Sequence, residues 1–255
     1  MAAFEAIWHI KGETMEQDLR TKQIPKSTRG TERINLALIA SGSGTDANSI
    51  MEAWAAGCIP EVNPPFLIST KKGAGCLDKA RNHGLEGGTI DYKESRGLDN
   101  FNASLQALLK QTFTDLIFLV GCIHKVYPIE GMDCYNIHPA DPAGHGGDKM
   151  YGLAVHQHVL DEIKDLIYRG KKKITDRFYS YPTVHEANQD YDGGDLLLRQ
   201  AVRIPDSLVS EYYSGLKDSE QAAKELQAVV LPYEWLMLPA AVRMAARRVL
   251  QSRKD

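Results

Sequence analysis

Cysteine is scarce in this chain: Cys58, Cys76, Cys122 and Cys134 are the only four, and no two form a C-x-x-C pair. That argues against a disulfide framework or a thiolate zinc site and predicts free thiols in a reducing, cytoplasmic compartment. Excess positive charge is missing as well. Thirty Lys and Arg against 33 Asp and Glu leave a formal charge of −3, so nothing in the balance calls for a nucleic-acid partner. No apolar run approaches bilayer-spanning length, and the N-terminus has no continuous apolar stretch of the signal-peptide kind, so no membrane partner is expected. Repeats and low-complexity tracts are also lacking. What remains is 43% hydrophobic and 25% charged over 255 residues, the composition of a globular chain able to bury a sizeable core.

Residues 1–33 mix charges with Gly, Thr, Pro and Ser and read as an N-terminal extension to a domain spanning 34–255. Within the extension, Phe4, Ile7, Trp8 and Ile10 have the spacing of a short amphipathic helix. From Ile34 the pattern becomes regular. "INLALIA" is a short apolar run bounded by Ser-Gly, the mark of a buried parallel strand, and a Gly-rich turn and helix ending near Gly57 follow it. "PPFLIST" predicts a second strand, "GCLDKARNHG" a short helix closed by Gly84, and "LDNFNASLQALLKQT" a helix with Asp99 placed to cap it. "DLIFLVG" and "CYNIHP" are further strands. The alternation predicts an α/β, Rossmann-like, mostly parallel twisted sheet with helices on both faces. "GLAVHQHVLDEI" reads as a helix, the following segment to Pro182 as basic and aromatic, and "TVHEANQDYDGGDLLLRQAVRI" as two strands around an Asp-Gly-Gly turn. Asp218 to Arg253 reads as helical but interrupted by Pro232 and Pro239.

Three places could carry chemistry. Gly42, Gly44, Thr45 and Asp46 lie in the turn between the first strand and its helix, where free backbone N–H groups and the helix dipole suit a phosphate. The same turn reads equally well as a plain βα connection, lacking a third glycine and any Walker pattern. Asp46 could cap the helix, yet its charge opposes an anion. Asn136 and His138 are two residues apart at a strand end, so their side chains share one face at the sheet edge where ligands bind; a structural histidine would have the same spacing. Asp192 sits in "DYDGGD" and also reads as an ordinary turn residue. His145, His156 and His158 form a loose cluster without structural zinc spacing, and no metal is expected. Lys171 to Lys173 read as a solvated loop.

Taken in order, SGSGTD, NIHP and VHEANQDYDGG resemble the phosphoribosylglycinamide formyltransferases over about Ile34 to Pro239. The resemblance implies a catalytic trio of Asn136, His138 and Asp192 and a co-substrate, 10-formyltetrahydrofolate, without a metal. It implies that Gly42, Gly44, Thr45 and Asp46 hold the acceptor's phosphate and that Glu234, in "EWLMLP", holds its ribose. "FLVGCIHKVYP" looks like the segment lining the folate pocket, which assigns Cys122, Ile123, His124 and Val126 to the folate, with His185 and Gly193 from the region of the Asp-Gly-Gly turn. A protonated His138 would join the Asn136 amide in an oxyanion site, with Asp192 favouring the imidazolium and moving protons. The partners implied are a phosphorylated ribosyl amine and a folate, acting on a monomer or homodimer. Asp46 stands where the family usually has asparagine and His124 where it has arginine. Segments 140–151 and 161–182 are longer than usual. Relatives with the same trio that formylate an amino-sugar nucleotide, a formyltetrahydrofolate hydrolase and a non-catalytic binding descendant are the other readings.

Overall fold

The computed structural model describes residues 32–188 and 192–254, so the expected N-terminal helix lies outside the described residues. The chain forms β1 (Leu36–Ala40), α1 (Thr45–Ala55), β2 (Phe66–Ser69), α2 (Cys76–Asn82), β3 (Gly87–Thr89), α3 (Leu98–Gln111), β4 (Leu116–Leu119) and β5 (Asp133–His138). It continues through α4 (Pro142–His145), α5 (Leu153–Tyr168), β6 (Tyr179–Ser180), β7 (Thr183–Glu186), β8 (Leu196–Arg199), β9 (Val202–Arg203), α6 (Asp206–Ser214) and α7 (Ser219–Ser252).

Seven strands form one sheet in the order β3-β2-β1-β4-β5-β7-β8, parallel from β3 to β5, with β7 antiparallel to both its neighbours. The alternation along β1 explains why both faces are covered. Leu36, Leu38 and Ala40 pack into the cluster shared with α1 and α7, while Ala37 and Ile39 pack on the opposite face with Phe101, Leu105 and Leu109 of α3. A separate cluster joins α5, α6 and the first half of α7. The order reverses between β1 and β4, and the crevice outside the carboxyl ends of those strands is where an open α/β sheet accepts a ligand.

Several local expectations change. Asp99 does not cap α3; Gly97 takes that position, and the Asp99 carboxylate instead accepts the Tyr127 hydroxyl at 2.9 Å. α5 runs on through Lys164–Tyr168, part of the segment read only as basic and aromatic, because Val159, Leu160 and Ile163 continue its buried stripe. β3, read GGT, is too short and too glycine-rich to show a periodic signal. β9 leaves the main sheet to pair with β6. α6 was not foreseen. α7 is continuous for 34 residues through Pro232 and Pro239, its buried face packing on α1, α5 and the sheet. By length and composition this helix could cross a membrane, but Leu226, Val230, Leu238, Ala241, Val242, Ala245 and Ala246 are spent on the protein's own core.

Candidate active site

A cleft of about 460 Å³ opens at the carboxyl edge of β1, β4 and β5. Its lining includes Thr45, Asp46, Cys122, Ile123, His124, Val126, Asn136, His138, His185, Asp192 and Glu234. Three expected residues lie outside the lining. Gly42 is exposed, and Gly193 is exposed beyond the turn. Gly44 shapes the turn from behind: its φ is +73° and a Cβ there would come within 2.4 Å of Cys76 Cβ, so only glycine lets α2 approach.

The centre of the cleft follows from strand register. Asn136 and His138 emerge on one face of β5 while Tyr135 and Ile137 enter the core on the other. β7 pairs with β5 so that His185 lies directly opposite Asn136. The turn after β7 then delivers Asp192, at φ +53°, to both. Asn136 Nδ2 donates to Asp192 Oδ1 at 3.3 Å, His185 Nε2 lies 3.3 Å from the same oxygen, and the Gly147 N–H donates to Oδ2 at 3.0 Å. His138 Nδ1 lies 3.8 Å from Oδ2, too far for a direct hydrogen bond. Burial alone would raise the Asp192 pKa. The His185 side chain, the nearby His138 and the Gly147 N–H outweigh burial and hold the carboxyl below the usual range.

His138 departs from expectation. Burial pulls its pKa below the ordinary histidine value by more than Asp192 and the His145 carbonyl restore. The resting imidazole is therefore neutral at neutral pH. Its Nε2–H donates to the His145 carbonyl at 2.9 Å, which leaves Nδ1 as the unprotonated nitrogen facing Asp192. The imidazolium inferred from the neighbouring carboxylate is thus replaced by a neutral resting imidazole, because desolvation outweighs that single charge.

In the segment after β4, His124 stacks on Tyr92 with ring centroids 3.9 Å apart and meets the edge of Phe101. Burial lowers its pKa against the opposing charge of Asp91, so it does not supply a cation. Of the two long segments, residues 147–152 border the cleft, whereas 161–182 contribute nothing to its lining.

The loose histidine cluster divides. His145 Nδ1 meets His158 Nδ1 at 3.0 Å, while His156 turns into the cleft, 2% exposed, with Nδ1 making no hydrogen bond. Among the described residues, no group of three or more His, Cys, Asp or Glu is placed to hold a metal. Lys171 to Lys173 are exposed in the loop beyond α5.

Four contributors were not singled out from sequence. Ser41 Oγ bonds Thr70 at 2.6 Å and receives the Ile123 N–H at 3.1 Å, tying the β1 turn to the segment after β4. His156 was seen only as part of a cluster. Gly146 lets its loop close on Asp192. Trp235 donates from Nε1 to Asp46 Oδ1 at 3.1 Å, so Asp46 does not cap α1. The residue beside Glu234 in "EWLMLP" was the available signal for Trp235, and nothing local distinguished the other three.

The chain is similar to known proteins over most of its length. A phosphoribosylglycinamide formyltransferase labelled chloroplastic, from Arabidopsis thaliana, is 29% identical over 188 residues, 71% of this chain and 59% of that protein. The chain thus spans about three-fifths of that relative. A protein of the same name from Vigna unguiculata is 26% identical over 258 residues, covering 98% and 72%. The solved glycinamide ribonucleotide transformylase 1 from Symbiobacterium toebii superposes with a TM-score of 0.64 at 22% identity, over 85% of this chain and 89% of that one. A phosphoribosylglycinamide formyltransferase from Brucella melitensis gives 0.60 at 25% identity, over 84% and 96%. The formyl transferase family model matches residues 34–229, the stretch that builds the sheet and carries Asn136, His138 and Asp192, and on that match the chain belongs to the formyl transferase family.

Proposed function

We propose that the protein transfers a formyl group from 10-formyltetrahydrofolate to the primary amine of glycinamide ribonucleotide, a step of purine synthesis. The observation that carries this reading is the convergence of Asn136, His138 and Asp192 in one cleft that also reaches the N-terminus of α1. The amine attacks the formyl carbon and a tetrahedral intermediate forms. Negative charge gathers on the formyl oxygen, where the Asn136 amide donates; one such donor is worth about 3 kcal/mol in the transition state. His138 Nδ1 takes the proton released by the amine, and the imidazolium so formed is held by Asp192. The proton then passes to the departing folate nitrogen as the C–N bond breaks, so His138 returns to neutrality. Folate is the co-substrate in this reading, and Cys122 to Val126, which line the cleft, are the residues that would receive it. The free cysteines suit a reducing compartment. The plant relatives are named chloroplastic, so the cytoplasm stands as one option for location.

His138→Ala and Asp192→Asn are each expected to reduce turnover about a hundredfold or more while circular dichroism stays unchanged. Near-normal turnover in either would sink the mechanism. Offering the enzyme glycinamide ribonucleotide, an amino-sugar nucleotide or water separates the acceptor readings through release of free tetrahydrofolate. Release with none of them would leave a binding protein.

A further inference from the structure

Two backbone groups of the lengthened segment 140–151 touch the trio. The His145 carbonyl accepts His138 Nε2–H at 2.9 Å, and the Gly147 N–H donates to Asp192 Oδ2 at 3.0 Å. Both follow α4, a single turn that is anchored at its start. There the Asp141 carboxylate accepts the Ala143 N–H at 3.1 Å and an Arg199 N–H from β8 at 3.0 Å. The His145 N–H closes the turn on the Asp141 carbonyl at 2.9 Å, while its own carbonyl, at the helix end, is left for His138.

The far end of the turn is fixed by the His145 ring. Its Nδ1 bonds His158 Nδ1 at 3.0 Å, and its Nε2 lies 3.2 Å from Glu162 Oε2. His158 and Glu162 are four residues apart on α5 and so share one face of it. A carboxylate only accepts, so His145 Nε2 carries the ring proton. The bare Nδ1 of that neutral ring then receives Nδ1–H from His158. Burial, aided by His158, lowers the His145 pKa against the charges of Glu162 and Asp141, which agrees with a neutral ring.

The consequence falls on His138, which as a neutral ring has one proton to place. The His145 carbonyl keeps that proton on Nε2 and leaves Nδ1 open. Without that acceptor the proton can move to Nδ1, towards the Asp192 carboxylate 3.8 Å away, and Nδ1 is then no base.

We propose that His145 is a positioning residue: its ring, gripped by His158 and Glu162 of α5, aims its own carbonyl at His138 and selects the tautomer the reaction uses. The inference rests on the function proposed above for the role of His138 Nδ1.

The test uses the full chain with ¹⁵N-labelled histidines. The His138 ring signals, identified by their absence in His138→Ala, report its tautomer without turnover. Wild type is expected to show Nε2 protonated and Nδ1 bare; the opposite assignment overturns the proposal. His145→Ala should turn those signals into a tautomer mixture and lower kcat for formyl transfer about tenfold, with KM changed by less than about twofold. His145→Gln, whose amide can still donate to Glu162, should restore the signals and bring kcat to within about threefold of wild type. Glu162→Ala changes a side chain that is 53% exposed, and it carries the test if His145→Ala does not fold. It should move both readouts the same way, with kcat down about threefold. Unchanged His138 signals in these alanine variants overturn the proposal even if turnover falls, and so does failure of His145→Gln to restore them. If wild type transfers no formyl group, the proposed activity fails, and the ring signals still decide whether His145 sets the tautomer.

Discussion

At the scale of single residues, the site depends on close approaches as much as on chemical groups. Gly146 shows this. A Cβ there would meet the Pro142 carbonyl oxygen at 2.6 Å and Asp192 Cβ at 2.8 Å, contacts that backbone and a short side chain cannot relieve cheaply. The loop carrying Gly147 N–H to Asp192 therefore needs glycine at 146. Gly146→Ala is expected to lower kcat by about tenfold or more, since a displacement near 1 Å at the reacting centre can cost about a hundredfold. Stopped-flow or steady-state formyl transfer, with the thermal midpoint as a control for folding, checks it. The trio itself was legible from "NIHP" and "DYDGG" once set beside a family pattern. The protonation of His138 was not, because it depends on how much water the rest of the fold excludes.

At the scale of elements, α7 is the largest departure from local expectation. Proline lacks the N–H for the helical bond and clashes with the carbonyl four residues back, so two prolines read as two breaks. The helix nonetheless runs from Ser219 to Ser252, because its apolar positions pack continuously on the sheet, α1 and α5. Tertiary burial overrides propensity here. Pro232 is exposed, so its replacement removes the penalty without opening the core. Pro232→Ala is expected to stabilise the protein by about 1–3 kcal/mol in urea unfolding. A loss of stability instead would show that Pro232 sets a bend the packing requires. The strands behaved differently: β1, β2, β4, β5, β7 and β8 were readable from apolar runs and turn signals, since a buried strand needs only local composition to announce itself.

At the scale of the whole molecule, acid sensitivity gathers in the cleft, and the signs differ among its groups. His156 is buried and its pKa is pulled down to about 4, mainly by desolvation and then by the nearby His138. A base depressed in the folded state contributes stability above its ordinary value of 6.5, and that stability is lost as pH falls towards 4. At pH 5 the loss from His156 is on the order of 2 kcal/mol. Asp46 works the other way: its raised pKa gives stability that is complete below 3.8 and is lost as pH rises through about 6. His156→Asn is therefore expected to shrink the fall in thermal midpoint between pH 7 and pH 5, and an unchanged fall would place the acid-sensitive group elsewhere. The sequence by itself determined the alternation of the main strands and helices up to β5, the glycine turn before α1, and the shared face of Asn136 and His138. Those depend on alternation and turn chemistry within a few residues. The fold alone decided the rest: β7 set antiparallel beside β5, Asp192 brought to Asn136 from 56 positions away, and Trp235 reaching Asp46 across 189. Such meetings, and the proton affinities that follow from them, arise from burial and charge summed over the folded chain, which no local window contains.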